Sequence, residues 1–405
     1  MNPEEYHAPQ AGEVVKTVQG YHAFVPAPLP PTLVYTDQIV LALSRADAAL
    51  SELAGLGRML PNPHLLIGPY VRREAVLSSR IEGTRTEMGE LLLDEFAQRA
   101  EPMVVRHKGE AARGTSEEQD LREVRNYVHA LEHGIELLKT LPLSLRLVRE
   151  IHGTLMDSVR GGHATPGEFR RSQNWIGAPG STLMTAAYVP PPPDVLMDCL
   201  SDWERFAHQR DTHPELIQCA LLHEQFEAIH PFLDGNGRVG RLLITLFLIE
   251  RGRLDQPLLY LSDYIERNRQ GYYDSLQRVR SHGDWTGWLL YFLEGVTLTS
   301  RQGVVQARGL MELREDLRRR LSEKPKALSL LDHLFANPYI TASRVEELLG
   351  VSAPTARQAI GHLVAENVLV ETTGRSWGRL YVAQPILQAL EQREEAVGPI
   401  SEFRP

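Results

Sequence analysis

The chain has 405 residues, 42% hydrophobic and 23% charged, with a formal net charge of −9. That length suits two or three domains with a packed core, and the negative balance excludes the chain as a whole as an electrostatic match for nucleic acid. Cys199 and Cys219 lack CxxC or zinc spacing and lie in apolar helical patterns, so buried free thiols in a reducing cytoplasm are expected. Residues 1–30 carry charge, Pro and Gly instead of a signal-peptide pattern, and the apolar run 242–249 is far too short to span a membrane. The expectation is a soluble cytoplasmic protein with no membrane partner.

Residues 1–32 end in a Pro-rich approach, which predicts an extended lead-in over the surface. Ile39, Leu41, Leu43, Ala46, Leu50, Leu53 and Leu56 give residues 36–60 a helical stripe, broken by Pro61 and Pro63. A second helix is predicted from near Leu66 to Arg80, stopped by Gly83. Glu82 near its C-terminal end is electrostatically unfavourable, so something else must stabilise that carboxylate.

Residues 99–120 are polar and charged and read as a flexible insertion. Helical periodicity returns over 121–160, where Ser144 is a candidate cap. Residues 161–194 are rich in Gly and Pro. The runs 175–177 and 187–189 predict a short hairpin. A helix over 195–208 follows. His223-Glu224-Gln225-Phe226-Glu227 starts like a zinc-protease HExxH, but Glu227 occupies the place of the second histidine, which argues against zinc.

The most informative stretch is His230-Pro231-Phe232-Leu233-Asp234-Gly235-Asn236-Gly237-Arg238, closed by Arg241. An apolar helix leads in, and Pro231 disfavours helix at His230. Gly235 and Gly237 permit a loop whose N–H groups form an anion-holding concavity. The almost wholly apolar run 239–249 predicts a buried helix with its positive end at that concavity. Arg238 and Arg241, three apart, add guanidinium groups for a polyphosphate. Asp234 offers a carboxylate for magnesium, and His230 offers a base.

This stretch resembles the signature of the Fic family of AMP transferases, His-x-Phe-x-Asp/Glu-Gly-Asn-Gly-Arg-x-x-Arg, at every specified position. The resemblance implies that His230 is the general base for a protein hydroxyl and that Asp234 holds Mg2+. It further implies that Gly235, Asn236, Gly237 and Arg238 bind the phosphates of ATP, with Arg241 on the γ-phosphate. Ser78 to Gly83 is similar to the family's inhibitory motif, Ser/Thr-x-x-x-Glu-Gly/Asn. On that reading Glu82 pairs with Arg241 and excludes the γ-phosphate. The hairpin over 161–194 then becomes a flap that pairs with the backbone of the target. Tyr272, and less directly Ser79, are the candidates for the adenosine pocket.

Residues 299–324 predict a charged connecting helix closed by Pro325. Residues 326–384 look like a winged helix-turn-helix, with Ser352 capping its third helix. Lys326, Arg344, Arg357, Arg375 and Arg379 are balanced by Asp332, Glu346, Glu347, Glu366 and Glu371, so no basic footprint for DNA emerges. Winged helices also dock proteins, and both roles stay open.

The fold expected is mainly α: a Fic-type helical bundle with a β-hairpin flap, then a C-terminal winged helix-turn-helix domain. The divisions are residues 1–110 with the inhibitory helix, 121–300 as catalytic core, 301–325 as connector and 326–390 as the winged unit. The expected reaction moves AMP from ATP to a Ser, Thr or Tyr hydroxyl of a protein, with the chain itself among the targets and a homodimer among the assemblies. Two alternatives are a de-AMPylating hydrolase whose water is guided by Glu82, and a nucleotide-sensing DNA-binding regulator.

Overall fold

A computed structural model describes residues 1–59, 64–99, 116–159, 165–178 and 180–391. Most of the insertion expected over 99–120 lies outside these residues, as do 160–164 of the Gly/Pro-rich stretch. The lead-in is not a simple extended strap. Strands β1 (Gly12–Lys16) and β2 (His22–Pro26) pair antiparallel, Gly12 opposite Pro26 and Lys16 opposite His22. The turn closes through Thr17, whose N–H donates to the Tyr21 carbonyl at 2.9 Å. Ala23 and Phe24 on β2 are buried in a small core with Tyr188 and Val189. Pairing that buries one apolar face favours the hairpin over a solvated extended chain.

The helices that follow are α1 (Asp37–Met59), α2 (His64–Ile81), α3 (Met88–Arg99), α4 (Ser116–Leu137), α5 (Leu145–Leu155), α6 (Leu196–Ala207), α7 (Glu215–Ile229), α8 (Asn236–Glu250), α9 (Leu261–Arg267), α10 (Arg269–His282) and α11 (Trp285–Arg320). α7 and α8 form the centre. Every residue of α7 from Leu216 to Ile229 is buried, and α8 is buried from Val239 to Leu248. The Trp203 and Trp288 indoles each donate at 2.9 Å to an α7 carbonyl, Leu222 and Ala220 respectively. Each ring therefore buries its apolar body without orphaning its N–H.

The second half of α11 is the stretch expected as a separate connector. No proline interrupts residues 285–320, so the helix continues for 36 residues. Pro325 does not close it but opens the next helix, α12 (Pro325–Ala336), from its first turn. Then come β3 (Tyr339–Thr341), α13 (Ala342–Leu349), α14 (Ala353–Ala365), β4 (Val370–Glu371), β5 (Leu380–Val382) and α15 (Gln384–Glu391). The three strands form an antiparallel sheet in the order β3-β5-β4. Thr341 caps α13 by accepting from Arg344 N–H at 3.3 Å. Ser352 stands at the cap position of α14, but its hydroxyl bonds to Thr355 and caps no N–H.

Two cores result. The larger joins α1, α2 and α4–α11. The second belongs to α12–α15 with the outer half of α11, and it also takes in Tyr70 of α2 and Met88 and Leu92 of α3. Helix α3 was not read from the sequence. It is short, and its apolar residues divide between the two cores, Leu91 in the larger and Met88 and Leu92 in the second, instead of making one stripe.

Candidate active site

The α7–α8 junction builds the site. α7 ends at Ile229, and His230 takes a left-handed conformation, φ 48°, as the following proline favours departure from helix. A non-glycine residue in that region carries strain that its surroundings must hold. They do so through its carbonyl, which accepts from Arg170 Nε at 3.0 Å and Asn174 Nδ2 at 3.3 Å. Arg170 also donates to the carbonyls of Pro191 at 2.6 Å and Ile229 at 3.3 Å. The His230 ring is half-buried, and its Nδ1 is enclosed without a hydrogen bond. Burial, then the Arg280 and Arg170 charges, push the imidazole down to about 3, so the ring is neutral.

Asn236 shapes the loop. Its Oδ1 accepts from Phe232 N–H at 2.8 Å and its Nδ2 donates to Phe232 O at 2.9 Å. His152 does the same from α5. Its Nδ1 accepts from Gly167 N–H at 2.9 Å, which leaves Nε2 to donate to Asp234 O at 3.1 Å. Burial pushes His152 down to about 4, consistent with this neutral tautomer. Gly235 adopts φ 78° just before α8. Gly237 is different: it is helical, and what matters there is space. A Cβ on it would lie 2.5 Å from Glu82 Oε1 and 3.0 Å from an Arg241 terminal nitrogen.

The two arginines of α8 reach different helices. Arg238 donates to Glu123 of α4 at 3.0 Å, with Met156 beside it. Arg241 donates to the Ser78 hydroxyl at 2.8 Å, the Ser78 carbonyl at 3.0 Å and Glu82 Oε1 at 2.7 Å. The Arg241 side chain is 2% exposed and that of Glu82 is 36% exposed. Burial would raise the Glu82 carboxyl, but Arg241, then Arg238 and Arg269, hold it below the usual carboxylate range. The partner demanded by an acid at the C-terminal end of α2 is therefore Arg241.

Asp234 is 55% exposed on its side chain, with Oδ1 accepting from Gly235 N–H at 2.6 Å. A solvent-facing carboxylate beside the first turn of α8 is the kind of donor Mg2+ takes, since that ion is commonly bound by one or two carboxylates and phosphate oxygens. Among the described residues no cluster of three or more His, Cys, Asp or Glu could hold a metal by itself.

Two of the expected pocket residues point inward. Tyr272 is 2% exposed, and its hydroxyl bonds to His223 Nε2 at 2.8 Å while His223 Nδ1 bonds to Gly240 O at 3.0 Å. Ring and hydroxyl are thus both committed to the core. The accessible aromatic is its neighbour Tyr273, 41% exposed, whose hydroxyl feels the charges of Glu82, Arg241 and Arg269. Ser79 is fully buried with an unbonded hydroxyl. Sequence reading missed Glu123, Arg170, Asn174 and His152. They lie 115, 60, 56 and 82 residues from the loop positions they hold, and no local pattern marks such pairs.

The expected hairpin is present in reduced form, as a single antiparallel bridge between Ile176 and Tyr188. Trp175, Ile176 and Met184 are exposed along it. Phe24 N–H on β2 donates to Val189 O at 2.8 Å, so the N-terminal hairpin braces the flap.

Two family models match the chain: the Fic/DOC family N-terminal region over residues 40–136 and the Fic/DOC family over residues 142–248. Together they take in half of it. A protein adenylyltransferase Fic from Drosophila willistoni is 30% identical over 154 residues, 36% of this chain and 26% of that protein. One from Aedes aegypti is 33% identical over 148 residues, 35% of this chain and 25% of that protein. The chain thus spans about a quarter of the length of these curated relatives. A crystal structure of a Fic family protein from Desulfovibrio desulfuricans G20 superposes with a TM-score of 0.53 at 20% identity, over 88% of this chain and 98% of that one. That likeness concerns the fold.

Proposed function

Since the chain belongs to the Fic/DOC family, we propose that it is a protein adenylyltransferase held inactive by its own Glu82. The observation that carries this reading is the Glu82 carboxylate against Gly237, bonded to Arg241 at 2.7 Å. An acid stands where the loop amides and an arginine would hold a phosphate.

In the proposed reaction a target Ser, Thr or Tyr hydroxyl loses its proton to His230. The enclosed Nδ1 leaves Nε2 to take it. The hydroxyl oxygen bonds to the α-phosphorus of ATP, the bond to the bridging oxygen breaks, and pyrophosphate leaves. The N–H groups at the start of α8 and the Arg241 guanidinium stabilise charge on the phosphates. Asp234 would hold Mg2+, which when bound would supply positive charge against the phosphates. Arg238, tied to Glu123, fixes the first turn of α8 and presents its charge to the same concavity. Tyr273, with the Arg269 guanidinium over its ring at 5.9 Å from the centroid, is the aromatic surface for the base.

Purified parent and Glu82→Gly chains with α-labelled ATP test the reading. Label should pass to protein in the variant and weakly in the parent. Equal transfer by both would remove the inhibitory part, and absence of transfer by both, with intact ATP binding, would remove the enzyme. The α12–α15 unit is read as a winged helix-turn-helix from the order of its elements.

A further inference from the structure

The segment carrying Glu82 is shared between the two cores. We infer that the α12–α15 unit is a latch that holds the Glu82 turn in the cleft, a step that rests on the inhibitory reading above. Five residues, 83–87, separate Glu82 from Met88 at the start of α3. Met88 and Leu92 are buried, with Tyr70 of α2, in the core of the C-terminal unit and not in that of the catalytic bundle.

Two polar ties reinforce that seat. Asn337, after α12, donates to the Leu92 carbonyl at 2.9 Å. The Glu391 carboxylate at the end of α15 lies against Gly89 in the first turn of α3, its Oε1 3.3 Å from where a Cβ would stand. An acid at a helix N-terminus is a favourable cap. A carboxylate of α15 therefore stands at the N-terminal end of the helix that follows the inhibitory turn. Against the catalytic side α3 is held by Leu91, fully buried in the larger core, by the nearly buried pair Arg72–Glu95 at 2.7 Å and by Arg125–Asp94 at 3.1 Å, and the turn is held by Arg85 N–H on Asp120 at 2.9 Å. The helix is thus seated on both cores, and Met88, its first residue and the one nearest Glu82 along the chain, sits in that of α12–α15.

The physical consequence is coupling. Any shift of the C-terminal unit that carries α3 with it must pull on the five-residue connector and bias Glu82 away from Arg241. By linkage, a ligand that binds the unit better in the released state activates transfer.

The test pairs Asn337→Ala with Glu391→Ala in the full chain. Transfer of labelled AMP should rise about fivefold, since each lost tie is worth a few-fold in an equilibrium. In a Glu82→Gly background the same pair should change transfer by less than about twofold, because the gate is already gone. Hydrogen exchange over residues 84–92 should quicken in the pair, with α7 and α8 unaffected. If Glu82→Gly activates but the pair transfers at the parental rate, the latch is wrong. If Glu82→Gly itself does nothing, the inhibitory reading has failed, and unchanged exchange over 84–92 would then dispose of the latch separately. Asn337→Asp, which sets a carboxylate oxygen against the Leu92 carbonyl, serves if the pair is too unstable to purify; it should activate in the same direction, and parental transfer would count against the latch.

Discussion

Glu82 and Arg241, 159 positions apart, are joined by a 2.7 Å hydrogen bond that spans α2 and α8. The guanidinium is enclosed and already bonded twice to Ser78, whereas the carboxylate is partly open to solvent. The asymmetry decides which partner moves: the arginine is fixed and the acid can leave. Replacing Glu82 by Gly should raise AMP transfer about ten- to a hundredfold, the worth of about 1.5–3 kcal/mol for one hydrogen bond to a charged group. Initial rates with labelled ATP check this, and a rise below threefold would be too small for the pair to be the main restraint.

Replacing His230 by Ala in the Glu82→Gly chain should leave ATP binding within about twofold and cut transfer by at least about a hundredfold, as expected for loss of a positioned base. Calorimetric titration with ATP and single-turnover transfer separate the two. Residual transfer near the parental rate would mean that another group takes the proton.

The pH response follows from the directions of the shifts. The Glu82 carboxyl lies below its ordinary 4.5, so its pairing is complete above that value and is lost as pH falls through the lower folded value. The ratio of Glu82→Gly to parental transfer should therefore be flat between about pH 8 and 5. His230 and His223 are both held near 3, first by burial, against an ordinary 6.5. Below 6.5 the unfolded chain takes up protons that the folded chain refuses, so the stability these neutral rings contribute is full above 6.5 and drains away toward pH 3. Glu227, pushed up to about 7 by burial, acts oppositely and loses stability as pH rises through 7. Denaturant melts of His223→Gln and parent should converge near pH 5 relative to pH 8; a constant gap would contradict the depressed value.

The loop over residues 230–241 was legible because its pattern is local. Histidine, proline, two glycines and two arginines within twelve residues define a helix end, a concavity and a helix start without reference to the rest of the chain. Glu82 was half legible: an acid at the end of α2 demanded a partner, and only the family resemblance suggested which. Tyr272 shows the limit. Adjacent tyrosines on a helix point about 100° apart, and nothing local says which one faces the core. His223 of α7, 49 positions away in the chain, takes the Tyr272 hydroxyl and leaves Tyr273 outside. The β1–β2 hairpin and α3 escaped for the same reason. Their apolar residues are few and meaningful only against distant partners, Tyr188 for one and Leu334 and Leu387 for the other.

Arg170 is the least expected support of the loop. Its buried guanidinium serves the carbonyls of Ile229, His230 and Pro191, and its own N–H donates to Pro231 O at 2.9 Å. Burial lowers it to about 10, still charged at neutral pH. A cation at the C-terminal end of α7 complements the helix dipole and holds His230 in its left-handed turn. Arg170→Ala leaves three carbonyls without this donor. In the Glu82→Gly background kcat should fall about tenfold and stability by about 2–3 kcal/mol, with KM for ATP nearly unchanged, because the ring moves while the phosphate cradle does not. Arg170→Lys, which restores charge but not the fork, should recover stability more than kcat. A parallel loss of kcat and ATP affinity in both variants would instead mean that Arg170 supports the whole loop and has no particular hold on His230.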